Sequence, residues 1–215
     1  MTLATPPQDR EGVIQYRLDF TPAPAPPWSL VADLDAWRQL LFRLGLTGRD
    51  PNRYGGLAYG NVSLRIGARR FLISGTQTGG IERLRAEHYG WVTGFDIEHN
   101  LIVAQGPIRP SSEALTHAAA YRAARRVRCV LHVHAPELWS SAERLGIPMT
   151  HPEFGYGTAA LAEAVGALLR RSEVNVIAMG GHRDGLLAVG GTPETAAEAL
   201  LRHLAAALRC ASASP

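Results

Sequence analysis

Between Val13 and Phe20 apolar and polar residues alternate. Ile14, Tyr16, Leu18 and Phe20 fall on one face, Gln15, Arg17 and Asp19 on the other, the period-two pattern of a half-buried strand. The first ten residues carry no such pattern and read as disordered. Thr21–Pro27 is proline-rich and reads as a stiff connector. The period then lengthens. Leu34, Trp37, Leu40, Leu41 and Leu44 share one helical face, so a helix is predicted from a cap at Asp33 or Asp35 to about Leu46. Gly48–Gly60 is a turn-rich loop, and short strands follow near Asn61–Ile66, Arg70–Ser74, Tyr89–Asp96 and Leu101–Ala104.

In the second half helices and strands interleave. Pro110-Ser-Ser-Glu opens a helix running through Arg126, and Val127–Val133 is an apolar strand. Pro136 starts a short helix to about Leu145, and Thr158–Arg171 forms another. Strands at Val174–Met179 and Gly185–Val189 flank a Gly-rich turn, and a last helix covers Pro193–Arg209. This order predicts one α/β domain with a mixed sheet. We divide the chain into an N-terminal tail, extra strand and connector (1–32), the main domain (33–210) and a short tail (211–215). No internal repeat is visible.

Composition narrows the function classes. With 215 residues and 46% hydrophobic positions, the chain can bury a sizeable core. It has no run near the roughly 20 apolar residues of a membrane span and no signal-like N-terminus, so a cytoplasmic location is expected. Two cysteines do not make a disulfide framework, and Cys129, in an apolar strand, reads as a core residue. All 22 basic residues are arginine. With no lysine, Schiff-base chemistry is excluded, and any carbonyl chemistry needs another electron sink. The arginines are scattered and the formal charge is only +3, so no nucleic-acid partner is expected.

Three constellations could carry chemistry. His132 and His134 lie two apart at a strand end, where alternation puts both imidazoles on one face. His182 stands in Gly180-Gly-His-Arg-Asp-Gly185, where glycines allow a tight turn and close backbone approach. Three histidines at strand ends would make a site with an open position, as catalytic zinc prefers. Glu137 is a rival fourth ligand, but its place after Pro136 also fits a helix's first turn. Ser111-Ser112-Glu113 opens a helix, where hydroxyls and amides suit an anion and a carboxylate could shuttle a proton. Gly60-Asn61 and Ser74-Gly75-Thr76-Gln77-Thr78-Gly79-Gly80 suit a phosphate nest. Each is equally readable alone as an ordinary strand end, cap or turn.

Taken in order, Gly60-Asn61-Val62-Ser63, Ile73-Ser74-Gly75-Thr76, Arg109-Pro110-Ser111-Ser112-Glu113, Leu131-His132-Val133-His134 and the late His182 resemble the class II aldolase/adducin family. The resemblance covers roughly Asp33 to Arg209. It implies a three-layer α/β/α sandwich with a central mixed, largely antiparallel sheet. It implies Zn2+, or another divalent metal, on His132, His134 and His182, Glu113 as acid/base, and a phosphate pocket from Asn61, Ser74, Gly75, Ser111 and Ser112. The activity implied is that of an aldehyde-lyase acting on a small phosphorylated ketose through a metal-stabilised enediolate. Epimerases and dehydratases of sugar phosphates share the site, and the resemblance also implies a homotetramer.

Three departures stand out. The third histidine is followed by Arg183 rather than glycine. Ala135-Pro136-Glu137 lacks an aromatic. No tyrosine follows Tyr156, whereas aldolases of the family use a C-terminal tyrosine on the leaving aldehyde. Two other classes compete: a non-catalytic adducin-like interaction domain, whose relatives have lost the histidines, and a cupin-like metal enzyme. The alanine-rich helices argue against an all-β cupin.

Overall fold

A computed structural model describes residues 12–171 and 173–212; the expected disorder of the first ten residues lies outside them. Among the described residues ten strands and five α-helices follow in chain order: β1 Arg17–Pro22, α1 Ala32–Arg43, β2 Gly48–Arg49, β3 Ala58–Tyr59, β4 Asn61–Arg65, β5 Phe71–Ser74, β6 Tyr89–Asp96, β7 Leu101–Gly106, α2 Ala114–Ala123, β8 Cys129–His134, α3 Pro136–Ser140, α4 Ala159–Arg171, β9 Val176–Ala178, β10 Gly185–Gly190 and α5 Pro193–Ser212. Eight strands form one sheet in the order β1-β7-β6-β5-β4-β8-β10-β9, with β2 and β3 paired apart. Only the β1–β7 pair of the large sheet is parallel. The sheet is therefore mixed and largely antiparallel, as expected.

Alternation along the strands sorts the core into two layers. Phe71, Ile73, Val130, Leu187 and Val189 face one apolar cluster, filled by Leu115, Ala118 and Ala119 of α2 and Leu161, Val165 and Leu169 of α4. Leu72, Leu131, Val133, Leu186 and Ala188 face the other, under Leu34 and Leu41 of α1, Leu138 of α3 and Leu200 of α5. The result is three layers, α/β/α. Even-numbered β8 residues share a face with Val130, so His132 and His134 lie on the side of α2 and α4.

Several boundaries differ from the sequence reading. The cap of α1 is Val31; Asp33 and Asp35 lie inside the first turn. Asp35 is drawn inward because its carboxylate accepts the Tyr89 hydroxyl at 3.0 Å and the Gln39 amide at 2.8 Å. Arg38, buried beside it, donates to the carbonyls of Glu82 at 2.8 Å and Gly79 at 3.0 Å. The buried stripe of α1 thus runs through Leu34, Arg38 and Leu41, one turn apart, and leaves Leu40 and Leu44 exposed. The strand expected from Val13 begins at Arg17. The helix expected from Pro110 begins at Ala114, because Pro110 bridges to Gly75 and the Ser111 amide donates to the Ser74 carbonyl at 3.2 Å. The helix after Pro136 stops at Ser140, and turns lead to Gly146, whose φ of 66° ends the segment in a left-handed conformation.

Candidate metal centre

β8 is held on both sides. Asn61 of β4 pairs with His132, and Gly185 and Leu187 of β10 pair with His134 and His132. That pairing fixes the two imidazoles side by side, with ring centroids 5.0 Å apart. His182 comes from the turn between β9 and β10. Its amide donates to the Met179 carbonyl at 3.1 Å, and its carbonyl accepts from Gly185 at 2.9 Å. A Cβ on Gly180 or Gly181 would overlap the carbonyl oxygens of Thr150 and Phe154, so only glycine lets this turn lie so close to the 150–154 segment. The turn delivers the His182 ring to 4.9 Å from that of His132 and 4.8 Å from that of His134.

The three histidines are buried, and one ligand nitrogen from each lies within 4.8 Å of the others. His132 Nδ1 faces the Leu186 carbonyl at 3.1 Å. A proton held there leaves Nε2 as the lone-pair nitrogen, the arrangement found behind metal-bound imidazoles. Burial first, then the neighbouring His182 and Arg53, holds the His134 pKa well below its ordinary value, which keeps that ring neutral and able to donate its lone pair. This donor set could hold a divalent cation. Zinc–imidazole bonds of about 2.0–2.1 Å would draw the widest-spaced nitrogens closer.

Glu113, the N-cap of α2, is fully buried, and its Oε1 lies 3.7 Å from His182 Nδ1. The carboxylate reaches the histidines because α2 covers the same face of the sheet as the even-numbered residues of β8. Ser111 is engaged at every backbone atom that can bond. Its amide is on Ser74, its carbonyl accepts from Ala114 at 3.0 Å, and its Oγ accepts the Glu113 amide at 3.3 Å. Ser74 Oγ accepts the Val62 amide at 3.1 Å, next to Asn61. Asn61, Ser74, Ser111 and Ser112 are all buried, and hydrogen bonds tie Ser111 to Ser74 and Ser74 to the strand that carries Asn61. The amide of Gly75 donates to His88 at 2.8 Å and that of Thr76 to Arg109 at 3.0 Å. Those two amides are therefore engaged within the fold, and hydroxyls and the Asn61 amide are among the donors this region can offer an anion. Gly75 itself lies where a Cβ would overlap the Ile108 side chain. Glu137 is exposed in the first turn of α3, and Arg183 is exposed too.

A match to the class II aldolase and adducin N-terminal domain spans residues 52–210. The chain belongs to the class II aldolase/adducin family. Similar solved structures include the L-fuculose-1-phosphate aldolase of Thermus thermophilus. It shares 22% identity over 88% of this chain and 99% of its own, with a TM-score of 0.65. YgbL of Klebsiella pneumoniae, described as a candidate aldolase/epimerase/decarboxylase, shares 18% identity over 86% and 90% at a TM-score of 0.65. A sugar-phosphate aldolase of Thermotoga maritima shares 14% over 87% and 97% at 0.62. At these identities the likeness is one of fold. No functionally curated protein matches the chain. No described helix is long and apolar enough to cross a membrane.

Sequence reasoning missed the aromatic wall around the imidazoles. The Tyr54 ring lies 4.5 Å from that of His134, Tyr59 5.3 Å from the same ring, and Tyr156 5.1 Å from His182. The Tyr54 hydroxyl donates to Asp184 at 2.8 Å, and Arg53 contacts both. Burial and that carboxylate raise the Tyr54 pKa. Tyr54 and Asp184 both adopt left-handed backbone, with φ of 50° and 63°, a conformation costing about 1 kcal/mol for such residues. No spacing rule marks these residues; only Gly55-Gly56 hinted at a sharp reversal.

Proposed function

We propose that the chain is a zinc-dependent aldehyde-lyase of the class II aldolase type, acting on a small phosphorylated ketose. The observation that carries this reading is the buried Glu113 carboxylate beside three converging imidazoles, one helix start away from Ser111 and Ser112. In this reading His132, His134 and His182 hold the metal, which when bound supplies Lewis acidity toward the substrate carbonyl. Glu113 gives or takes the proton on the neighbouring carbon. Asn61, Ser74, Gly75, Ser111 and Ser112 orient the phosphate end through hydroxyls, an amide and close backbone approach. The aromatic wall excludes water from the reacting carbons. The protein works in the cytoplasm as a homotetramer, and 33–210 is its catalytic domain.

Epimerisation or dehydration of a sugar phosphate on the same residues is the second reading. It is favoured by one feature: no tyrosine follows Tyr156 to receive the leaving aldehyde's proton. A test begins with elemental analysis for about one zinc per chain; a folded protein that takes up none would leave an adducin-like interaction domain. Ketose phosphates are then screened for zinc-dependent exchange of the carbon-bound proton with solvent, with aldehyde release, inversion and water loss scored separately. Glu113→Gln should keep the zinc and lose exchange by about 10²–10⁴-fold, the range for a general acid/base. Undiminished exchange would remove Glu113 from the role.

A further inference from the structure

The segment just before β1 is not a passive extension. Its contacts run to the three sides of the metal centre. The Gly12 carbonyl accepts the Thr76 hydroxyl at 3.2 Å, in the loop after Ser74-Gly75. The Val13 carbonyl lies 3.4 Å from the hydroxyl of Tyr156, whose ring packs on His182. The Tyr16 hydroxyl donates to the Ser111 carbonyl at 2.7 Å. On either side of Tyr16 the segment is fixed by Asn100, whose side chain reaches the Gln15 carbonyl at 3.3 Å and whose own carbonyl takes the Arg17 amide at 2.7 Å.

Tyr16 is the one member of this segment that is buried, at 4% exposure, in the same apolar cluster as Ala114 and Leu115. Burial first, and then the charge of Glu113, raises its pKa. The phenol therefore stays protonated and acts only as a donor toward Ser111. The carbonyl that receives it also takes the Ala114 amide, the first hydrogen bond of the turn that carries Glu113. Ser111 is thus clamped between Ser74 on the sheet side and Tyr16 on the other, two residues before the carboxylate.

We propose that Tyr16 is a positioning residue that sets, through Ser111, where the Glu113 carboxylate stands, and that Gly12–Tyr16 is a strap closing the enclosure around the metal centre. The proposal rests on the acid/base reading of Glu113 for its catalytic consequence, but not for its structural one. Tyr16→Phe removes the hydroxyl and keeps the ring. Amide hydrogen exchange at Ser111–Leu115 should rise by about tenfold, the value of one hydrogen bond, with exchange in β5 and β8 unchanged and bound zinc retained. On the ketose phosphate found by screening, kcat should fall by a similar factor while KM holds. Asn100→Gly is the control. It tolerates the left-handed φ of 52° at that position, removes only the side-chain bond to the Gln15 carbonyl while the backbone bond to Arg17 stays, and should leave both readings as in the wild type.

Unchanged exchange at Ser111–Leu115 in Tyr16→Phe overturns the proposal. So does acceleration spread evenly over the sheet, or an Asn100→Gly variant that loses as much kcat as Tyr16→Phe. If the wild type turns over no sugar phosphate, the functional reading fails while the exchange measurement still decides the clamp.

Discussion

Two groups of buried histidine lie against the same face of the sheet, and they do opposite things. His117, in the middle of α2, is as inaccessible as His132, His134 and His182. Its Nδ1 lies 2.7 Å from Ser63 Oγ, which in turn is 2.6 Å from the Tyr121 hydroxyl. Burial lowers its pKa to about 3. By depth and by pKa direction His117 resembles His134, yet its neighbours are neutral hydroxyls that hold a helix to a strand. The triad instead brings three lone-pair donors from one strand end and a turn to one point, with a carboxylate beside it. Convergence separates a candidate metal centre from a polar piece of core, and depth does not.

That contrast can be broken by exchanging the effects of removal. His182→Ala should lower metal affinity by more than the roughly 10–100-fold that outer-shell changes cost, emptying the site on dialysis as read by elemental analysis. His117→Ala should keep the metal and cost about 3 kcal/mol of folding stability from the cavity and the Ser63 hydroxyl left without its imidazole partner, measured by urea unfolding. Metal loss in His117→Ala would merge the two groups into one network.

A smaller effect sharpens the comparison with pH. The folded state holds His117 neutral down to about 3, whereas the unfolded chain takes up that proton near 6.5. Stability is full above that value and falls as acid is added, by up to about 1.4 kcal/mol per pH unit from this residue. His134 is shifted in the same direction. In metal-free protein His117→Gln should flatten this acid limb; a limb of unchanged slope would assign it to the triad alone.

Much of the arrangement is legible in the sequence. The strand expected at Tyr89–Asp96 spans those residues, and the spacing of His132 and His134 gave their common face. The Gly180-Gly181 pair announced the tight turn at His182. What was not legible came from tertiary partners overriding local rules. Asp35 looks like a cap, but Tyr89 and Gln39 draw it into the helix. Pro110-Ser111 looks like a first turn, but Gly75 and Ser74 take it as an edge bridge. The tyrosines of the wall reach the imidazoles through backbone reversals at Tyr54 and Asp184, which no periodicity encodes.

The double pairing of β8 makes the spacing of two imidazoles a property of the sheet rather than of side-chain choice. Deleting one residue upstream within that strand would turn both imidazoles together toward the α1 and α5 layer. Intermediate geometries are not on offer: this ruler has only two settings, and one of them faces away from Glu113.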